Sequence, residues 1–299
     1  MEKPFITIVI PTFNHAKFLR NAIYSVANQT YTNWEIVIVD NHSTDNTDDV
    51  LKEFVNLPLR AFKIKNYGII ASSRNFGIQK AKGEWISFLD SDDEWLPDKL
   101  QKCVEKINND VDIIFHNLTI RRKKRKFYNK RLIQGRHLNK PILVDLLING
   151  NPIVNSTVVV RRDLLIKLNG LNEDPQMIAA EDYNTWLRLA QITEGFVYVP
   201  ESIGFYTVHD SGMSRKDMSI PMWYATKDFL RWLNRKEFKM YKSNLVYAKA
   251  RFSYTNKNDF LIDKRLKFCI KYGNYEIKLK AIYMLSQLSW NRLSNFLRG

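Results

Sequence analysis

The sequence predicts an α/β fold in which a mostly parallel central sheet is flanked by helices and followed by a basic helical extension. Two observations predict the sheet: short apolar runs alternate with helical patterns over residues 5–116, and polar residues follow several of those runs. Such alternation is typical of parallel sheets with right-handed crossovers. A third observation predicts the extension, because the chain from residue 223 onward has helical spacing and many basic residues.

The first elements follow directly from residue type and spacing. Phe5–Ile10 is rich in β-branched residues and predicts the first strand. Ala16–Ala27 has apolar residues at helical spacing and predicts a helix, for which Asn14 would be the N-cap. The same patterns predict further strands at Trp34–Val39, Leu59–Ile64, Glu84–Leu89 and Asp112–His116, and helices at Val50–Phe54 and Ala71–Ala81.

The pattern is less regular in the middle of the chain. Asn155–Arg161 predicts a strand, and Glu181–Gln191 predicts an amphipathic helix. Phe196–Val199 and Ile203–Val208 predict two short strands on either side of Pro200.

Composition indicates a globular protein that stays inside the cell. Of the 299 residues, 45% are hydrophobic and 26% are charged, which is ordinary for a folded domain. Cys103 and Cys269 form no cysteine framework, which favours a reducing compartment. No secretory signal pattern opens the sequence, and no apolar run approaches the roughly 20 residues of a membrane span. We therefore expect a cytoplasmic protein, either soluble or peripheral at the inner face of the cytoplasmic membrane.

The formal net charge of +15 is unevenly distributed. Residues 225–299 hold 17 Lys and Arg against 5 Asp and Glu, and residues 120–140 hold 10 Lys and Arg and no acid. The remaining 19 basic and 26 acidic side chains make the rest of the chain acidic. The basic character is therefore confined to two segments.

Unusual polar groups follow three of the predicted strands. They are Pro11–Asn14, Asp40–Asp45 and Asp90–Asp93. Ligands bind beyond the carboxyl ends of strands in such sheets, so we expect the three groups to meet at one crevice. Clustered carboxylates stay ionised when a cation compensates them, and oxygen ligands suit Mg²⁺ or Mn²⁺. A D-x-D turn alone is weak evidence, because a solvated acidic turn has the same composition.

Several nucleotide-binding motifs are absent. The sequence has no G-x-x-x-x-G-K-[ST] phosphate loop and no G-x-G-x-x-G after its first strand, which argues against NAD and FAD. A phosphatase of the haloacid-dehalogenase type would carry D-x-D-x-[TV] after a first strand. Here Glu94 occupies the last position of that motif, and the acids follow a later strand.

Four blocks carry a family resemblance, in the order in which they occur in that family. They are IVIPTFNHAKFLRNAIYSVANQTYTNWEIVIVDNHSTDNT (8–47), NYGIIASSRNFGIQKAKGEWISFLDSDDEW (66–95), AEDYNTWLRLA (180–190) and FYTVHDSGMS (205–214). The sequence resembles family 2 glycosyltransferases of the GT-A fold, of the type found in bacterial polysaccharide and oligosaccharide biosynthesis. The first two blocks are highly specific, and the last two match more loosely.

The resemblance implies a role for each matching residue. Asp182 would be the catalytic base, Asp92 and His209 would bind Mn²⁺ or Mg²⁺, and Asp40 would accept a hydrogen bond from uracil. The implied nucleotide and substrate ligands are Pro11, Thr12, Asn14, Asp40, Asn41, Arg74, Asp90, Glu181, Ser211 and Ser214. The chain departs from the family at Thr207, where many members have arginine, so Arg215 and Lys216 are alternative contacts for the diphosphate.

The implied activity is an inverting, metal-dependent transfer of a hexose or N-acetylhexosamine from a UDP-sugar to a hydroxyl group. The acceptor would be a glycan, lipid-linked, in bacterial surface polysaccharide assembly. Residues 1–220 would form the GT-A domain, with a nucleotide-sugar-binding half at 1–110 and an acceptor-binding half at 111–220. Residues 221–299 would form the helical extension.

Simpler interpretations remain for individual features. Glu181 and Asp182 could simply favour a helix N-terminus, and His209 could be a surface histidine. The basic run at residues 121–126 could be a solvated loop, and without a recognisable nucleic-acid module we expect no nucleic-acid partner. The basic, aromatic C-terminal helices predict contact with an anionic membrane, although their aromatic residues could instead pack the helices together.

Two other classes of function compete with glycosyl transfer. A nucleotidyl- or phosphoryl-transferring enzyme would have a similar crevice but no obvious task for Asp182. A noncatalytic protein that binds anionic lipid or nucleic acid would explain the basic segments but not the acids at the strand ends.

Overall fold

The computed structural model describes residues 3–122, 131–208, 217–256 and 261–296. The strands are β1 (Ile6–Thr12), β2 (Trp34–Asp40), β3 (Leu59–Lys63), β4 (Trp85–Phe88), β5 (Glu94–Trp95), β6 (Ile113–Arg122), β7 (Leu132–Ile133), β8 (Val159–Arg161) and β9 (Phe196–Val208). The helices are α1 (Ala16–Ala27), α2 (Thr47–Lys52), α3 (Ile70–Lys80), α4 (Lys99–Val104), α5 (Ile142–Asn149), α6 (Arg162–Lys167), α7 (Glu181–Leu189), α8 (Ser219–Thr226), α9 (Arg235–Asn256), α10 (Ile262–Tyr272) and α11 (Tyr275–Phe296).

The chain divides into two compact units. The first comprises Met1–Leu138 and Pro152–Gly212, and the second comprises Asn139–Asn151 and Met213–Gly299. The strands belong to the first unit, and the second unit is helical where it is described.

One sheet organises the first unit, and it confirms the predicted α/β class. Its strand order is β3-β2-β1-β4-β8-β6-β9-β5, with β7 paired to β6. The strands β3, β2, β1 and β4 are parallel to one another, because helical crossovers connect them. The other half is mixed: β8 runs antiparallel to both β4 and β6, whereas β9 runs parallel to β6. The parallel half therefore brings the ends of β1, β2 and β4 to one edge.

The core explains why β1 and β2 read as nearly continuous apolar runs. Every residue of both strands is buried, since the sheet is covered on its two faces. Leu19, Ile23 and Val26 of α1 join these strands in one apolar cluster. Helix α3 approaches β1 closely at Gly77, where an added Cβ would meet a Val9 methyl carbon at 2.3 Å.

Two predicted elements take a different form. Asn155–Arg161 is not one strand, because Asn155–Thr157 forms a 3-10 turn before β8. The two short strands predicted around Pro200 are one strand, β9. The pairing of β9 with β6 shifts from Val199–His116 to Ser202–Asn117, which places Pro200 in a bulge. Proline is tolerated there because a bulged residue need not donate a backbone hydrogen bond to the neighbouring strand.

The predicted N-cap of α1 was also wrong. The N–H of Ala16 donates to Oδ2 of Asp45 at 2.9 Å, and Asn14 makes no side-chain cap. Asn14 instead has a positive φ of 51° and binds the loop after β2. A residue 29 positions away therefore supplies the carboxylate at the helix N-terminus.

The second unit has its own small apolar core. It contains Ala250, Ile262, Leu266, Cys269, Ala281 and Met284. Both Cys103 and Cys269 are buried free thiols. Within the described ranges, no helix is both long enough and apolar enough to cross a membrane.

Candidate active site

The loops after β1 and β2 are joined by direct hydrogen bonds. The N–H of Asn14 donates to Oγ of Ser43 at 2.8 Å, and Oδ1 of Asn14 accepts from the N–H of Thr44 at 2.7 Å. The N–H of Asn41 donates to the carbonyl of Thr12 at 3.0 Å. Two of the three polar groups predicted to converge therefore form one continuous backbone surface.

Asp40 lies at the base of this surface and is almost fully buried. Its carboxylate accepts from the N–H of Ser43 at 3.0 and 3.2 Å and from Oγ of Ser43 at 2.5 Å. Nζ of Lys63 is 4.0 Å from Oδ2 of Asp40. A carboxylate has about four acceptor sites, so these contacts leave capacity for a further donor.

Thr12 and Asn41 extend the same edge. Oγ1 of Thr12 is buried and has no hydrogen-bond partner among the described residues. Oδ1 of Asn41 accepts from the N–H of Asn66 at 2.9 Å, which ties the loop before α3 to the end of β2. Pro11 is buried and pairs with Val39 in the parallel ladder.

The acid turn, residues 90–93, lies between β4 and β5. The N–H of Asp93 donates to the carbonyl of Asp90 at 2.9 Å, which closes the turn. Oδ1 of Asp93 accepts from the N–H of Thr207 at 3.1 Å, and the N–H of Asp90 donates to Oγ of Ser156 at 3.1 Å. Nδ1 of His15 is 3.0 Å from Oγ of Ser91, which links the turn to the start of α1. The third predicted group thus joins the other two.

Electrostatics distinguish the acids of this turn. Asp93 is buried, whereas Asp90 and Asp92 are partly exposed. Burial, and then the charges of Asp92 and Asp90, raise the pKa of Asp93 well above its ordinary value. Burial of the phenol, and then the charges of the same turn, raise the pKa of Tyr206 to about 12.

Arg74 joins the acid turn to the acid pair at the start of α7. One terminal nitrogen donates to Oδ1 of Asp90 at 2.7 Å, and the other donates to Oε1 of Glu181 at 2.6 Å. The Asn155 amide, oriented with its oxygen toward Arg74, accepts from Nε at 3.1 Å. Although burial alone would lower the pKa of Arg74, the charges of Asp90 and Glu181 raise it. The guanidinium therefore stays charged while almost completely buried.

The acid pair Glu181–Asp182 forms the first turn of α7, where the helix dipole favours negative charge. Glu181 is buried, and its Oε2 has no hydrogen-bond partner within the described ranges. Asp182 is half-buried. Burial raises the pKa of Asp182 to about 7, the Glu181 charge adds to the rise, and Arg74 opposes it. A carboxylate with that pKa can accept a proton near neutral pH.

Asp92 and His209 are the two metal ligands that the sequence predicts. In the described ranges, no group of three or more His, Cys, Asp or Glu side chains has an arrangement that could hold a metal ion. The predicted ligand His209 lies outside those ranges, as do Ser211 and Ser214. The acid turn supplies the carboxylates of Asp90, Asp92 and Asp93, and oxygen ligands of this kind suit a divalent cation.

Sequence reasoning missed the turn that supports the acids. Asn155 contacts Arg74, Ser156 holds the backbone of Asp90, and the carbonyl of Ser156 accepts from Nε1 of Trp95 at 2.8 Å. The available signal was the polar triplet Asn155-Ser156-Thr157 inside an otherwise apolar stretch.

Comparison with known proteins identifies the family. The family model "Glycosyl transferase family 2" matches residues 7–168. TuaG of Bacillus subtilis, named for teichuronic acid biosynthesis, is 26% identical over 270 residues, which are 88% of this chain and 98% of TuaG. WfgD of Escherichia coli, named as a UDP-Glc:alpha-D-GlcNAc-diphosphoundecaprenol beta-1,3-glucosyltransferase, is 29% identical over 63% of this chain and 71% of that protein.

Solved structures share the fold. S. aureus TarS 1-349 in complex with UDP-GlcNAc has a TM-score of 0.63 and 18% identity, over 90% of this chain and 80% of that chain. The mannosyltransferase PcManGT from Pyrobaculum calidifontis, in complex with GDP-Man and Mn²⁺, has a TM-score of 0.65 and 19% identity, over 98% of this chain and 81% of that chain. The GT-A fold implied by the sequence blocks is confirmed. Because the family model matches more than half of the chain, the chain belongs to glycosyl transferase family 2 and is a glycosyltransferase.

Proposed function

We propose that the protein transfers a hexose or N-acetylhexosamine from a UDP-sugar, with inversion, to a hydroxyl group of a lipid-linked glycan in bacterial surface polysaccharide assembly. One observation carries the proposal: the acid turn and the acid pair share the buried Arg74 guanidinium. A donor-binding turn and a base are thereby held in one site, as a displacement at the anomeric carbon requires.

Asp182 is the base in this proposal. Its carboxylate takes the proton of the acceptor hydroxyl as that oxygen bonds to the anomeric carbon, while the bond between that carbon and the diphosphate oxygen breaks. UDP leaves with the bonding electron pair. The raised pKa of Asp182 supports the assignment, because a base of about pKa 7 is available at neutral pH and binds the proton strongly.

Asp92 and His209 are the proposed metal ligands, with Asp90 on the ribose or a metal-bound water. A bound Mn²⁺ or Mg²⁺ would supply charge neutralisation for the departing diphosphate. The crowded carboxylates of the acid turn support cation binding there. The Mn²⁺ in the PcManGT complex is consistent with it.

The remaining assignments concern the nucleotide. Pro11, Thr12, Asn14 and Asn41 are the proposed lining of the nucleotide pocket, and Asp40 is the proposed acceptor for the uracil N–H. The buried hydroxyl of Thr12, which has no partner among the described residues, supports this edge as a ligand-binding surface. Arg74, Glu181, Ser211 and Ser214 complete the proposed donor-side set.

The choice of donor and acceptor rests on relatives. The WfgD name specifies UDP-Glc and a diphosphoundecaprenol acceptor, TarS was solved with UDP-GlcNAc, and the TuaG name refers to teichuronic acid. A lipid-linked acceptor would bring the enzyme to an anionic membrane surface. We expect the basic C-terminal helices to be the part of the chain that meets it.

The test is UDP release from a panel of UDP-hexoses and UDP-N-acetylhexosamines, each with Mn²⁺ and with EDTA. We expect slow hydrolysis of one donor that requires the cation and is lost in Asp92→Asn. Asp98→Asn, which alters a partly exposed acid that lies outside the turn and pairs with Lys102, is the matched control. Thermal stabilisation by UDP plus Mn²⁺ is measured in parallel, because transfer proper also needs the acceptor.

GDP-mannose belongs in the same panel, since a structural neighbour binds it. Stabilisation by GDP and not by UDP would overturn the choice of donor and leave glycosyl transfer intact. Release of inorganic phosphate or diphosphate in place of UDP would favour a phosphoryl- or nucleotidyl-transferring enzyme. Failure of every nucleotide to stabilise the protein would favour the noncatalytic alternative.

A further inference from the structure

Helix α11 has apolar side chains on two opposite faces. The inner face packs into the core of the second unit through Ile277, Ala281, Met284, Leu285 and Leu288. The opposite face carries five large side chains that are between 49% and 79% exposed. These residues, named here the outer stripe, are Tyr275, Leu279, Ile282, Tyr283 and Trp290.

The members of the outer stripe lie on one side of the helix. Leu279 follows Tyr275 by four residues, Ile282 and Tyr283 come three and four residues after Leu279, and Trp290 comes seven residues after Tyr283, which places all five on one side of an α-helix. Single exposed apolar residues are normal on a protein surface, but several of them along one side of a helix are typical of an interaction site. Among the described residues, the core contacts of α11 come from its inner face and not from the outer stripe.

Charge indicates what covers the stripe. Lys278 and Lys280 flank it, one on each side by helical position, and Lys280 also pairs with Glu276. Residues 225–299 as a whole carry 17 Lys and Arg against 5 Asp and Glu. A second copy of the chain would bring like charges together, whereas an anionic bilayer would attract them.

The residue types agree with the charge. Tyr and Trp have an apolar ring and one polar atom, so they favour the boundary between lipid headgroups and acyl chains. Basic helices with an aromatic and aliphatic face bind in the plane of that boundary. We infer that the outer stripe of α11 docks the protein on the surface of an anionic membrane.

This inference extends the proposed function, since a lipid-linked acceptor gives the enzyme a reason to be at a bilayer. The inference rests on the proposed function only for the reason why the enzyme would be at a bilayer. The outer stripe and its flanking charges are independent of the donor site. The test therefore measures lipid binding without substrate, and UDP binding is followed separately. Loss of one would not imply loss of the other.

The test is co-flotation of the full chain with vesicles of phosphatidylcholine containing roughly 30% phosphatidylglycerol, at about 0.15 M salt. The variant is Leu279→Gln with Ile282→Gln and Trp290→Gln. Its matched control is Val55→Gln with Ile166→Gln, two side chains of the first unit that are 75% and 50% exposed. Circular dichroism and melting temperature establish that both variants are folded.

We expect the stripe variant to lose about tenfold or more in its partition coefficient, since three side chains no longer enter the interface. The control should bind as the wild type does, and Trp290→Phe should keep most of the binding. Vesicles of phosphatidylcholine alone should bind weakly, because the attraction from the basic residues is absent.

Three results would overturn the inference. The first is a wild-type protein that does not float with anionic vesicles, and the second is a folded stripe variant that floats as well as the wild type. The third is a concentration-dependent dimer, seen by analytical ultracentrifugation, that the stripe variant abolishes. That last result would assign the stripe to self-association.

Discussion

Arg74 and Glu181, which are 107 positions apart in the sequence, form a buried ion pair with a 2.6 Å contact between Nη1 and Oε1. The same guanidinium binds Asp90 at 2.7 Å. One cation therefore sets the distance between the acid turn and the acid pair. Its removal should affect stability and activity together.

Arg74→Met should destabilise the protein by about 3–5 kcal/mol, because it leaves two carboxylates close together without their buried cation. Urea-induced unfolding at neutral pH measures the loss. Arg20→Met is the matched control, since Arg20 pairs with Glu53 at the surface and its removal should change little.

A second variant separates the ion pair from packing. If Glu181 is the main uncompensated charge in Arg74→Met, adding Glu181→Gln should recover part of the lost stability. Strictly additive effects of the two substitutions would show that the pair is not coupled in the folded protein.

The pH dependence of the reaction should report Asp182. Because burial raises the pKa of Asp182 to about 7, kcat/KM should rise with pH through about 7 and then level off. Initial rates with a fixed donor and acceptor across that range measure the profile. A profile that is already flat at about pH 5 would remove Asp182 as the base with the raised pKa.

Stability should respond to the same carboxyl group. Its folded pKa lies above its unfolded value, so the folded state binds the extra proton and loses stability as pH rises from about 4 to about 7. Asp182→Asn should thus be inactive yet more stable than the wild type above about pH 7. The difference in the free energy of unfolding should narrow as pH falls, and a constant difference would contradict this account.

Asp93 should behave as a supporting acid that is easily neutralised. Asp93→Asn keeps an acceptor for the N–H of Thr207 and removes repulsion from Asp92, so it should not lower the melting temperature. Asp93→Ala should cost about 1–3 kcal/mol, because the partly buried N–H of Thr207 loses its partner. Equal melting temperatures for the two variants would show that the contact contributes nothing.

Lys99 offers a test of a buried cation outside the site. It is fully buried, its Nζ donates to Oγ of Ser87 at 2.6 Å and lies 3.7 Å from the centre of a Trp95 ring. Burial lowers the pKa of Lys99 to about 8. Between about pH 8 and pH 10 the unfolded state therefore binds one more proton than the folded state. The free-energy cost of burying Lys99 falls as pH rises through that range.

Lys99→Met should accordingly be at least as stable as the wild type near pH 7, and its advantage should shrink at about pH 10. Urea unfolding at both values measures this. The control is Lys106→Met, at an exposed lysine two residues beyond the end of α4. Its effect on the free energy of unfolding should be small and equal at the two pH values. A Lys99→Met protein that is much less stable at both values would show that the contacts with Ser87 and Trp95 outweigh the burial cost.

The sequence by itself determined the parallel half of the sheet and the edge where the site lies. The apolar runs of β1 and β2 are long enough to be buried on both faces, and helical spacing between them forces parallel crossovers. Parallel strands end at a common edge, so Asp40 and Asp90 could be placed near each other from sequence position alone. The strands and helices of this half depend on the local hydrophobic pattern, and their parallel order depends on the rule that a helical crossover joins parallel strands.

Only the tertiary structure decided which side chains meet across that edge. The helix cap comes from Asp45 and not from Asn14, Asn155 forms a turn and not a strand, and Arg74 reaches Glu181. These contacts join segments that are 29 to 107 positions apart. Residue types and spacing do not predict the distance between segments so far apart in the sequence, because the packing of helices and loops on the finished sheet sets that distance.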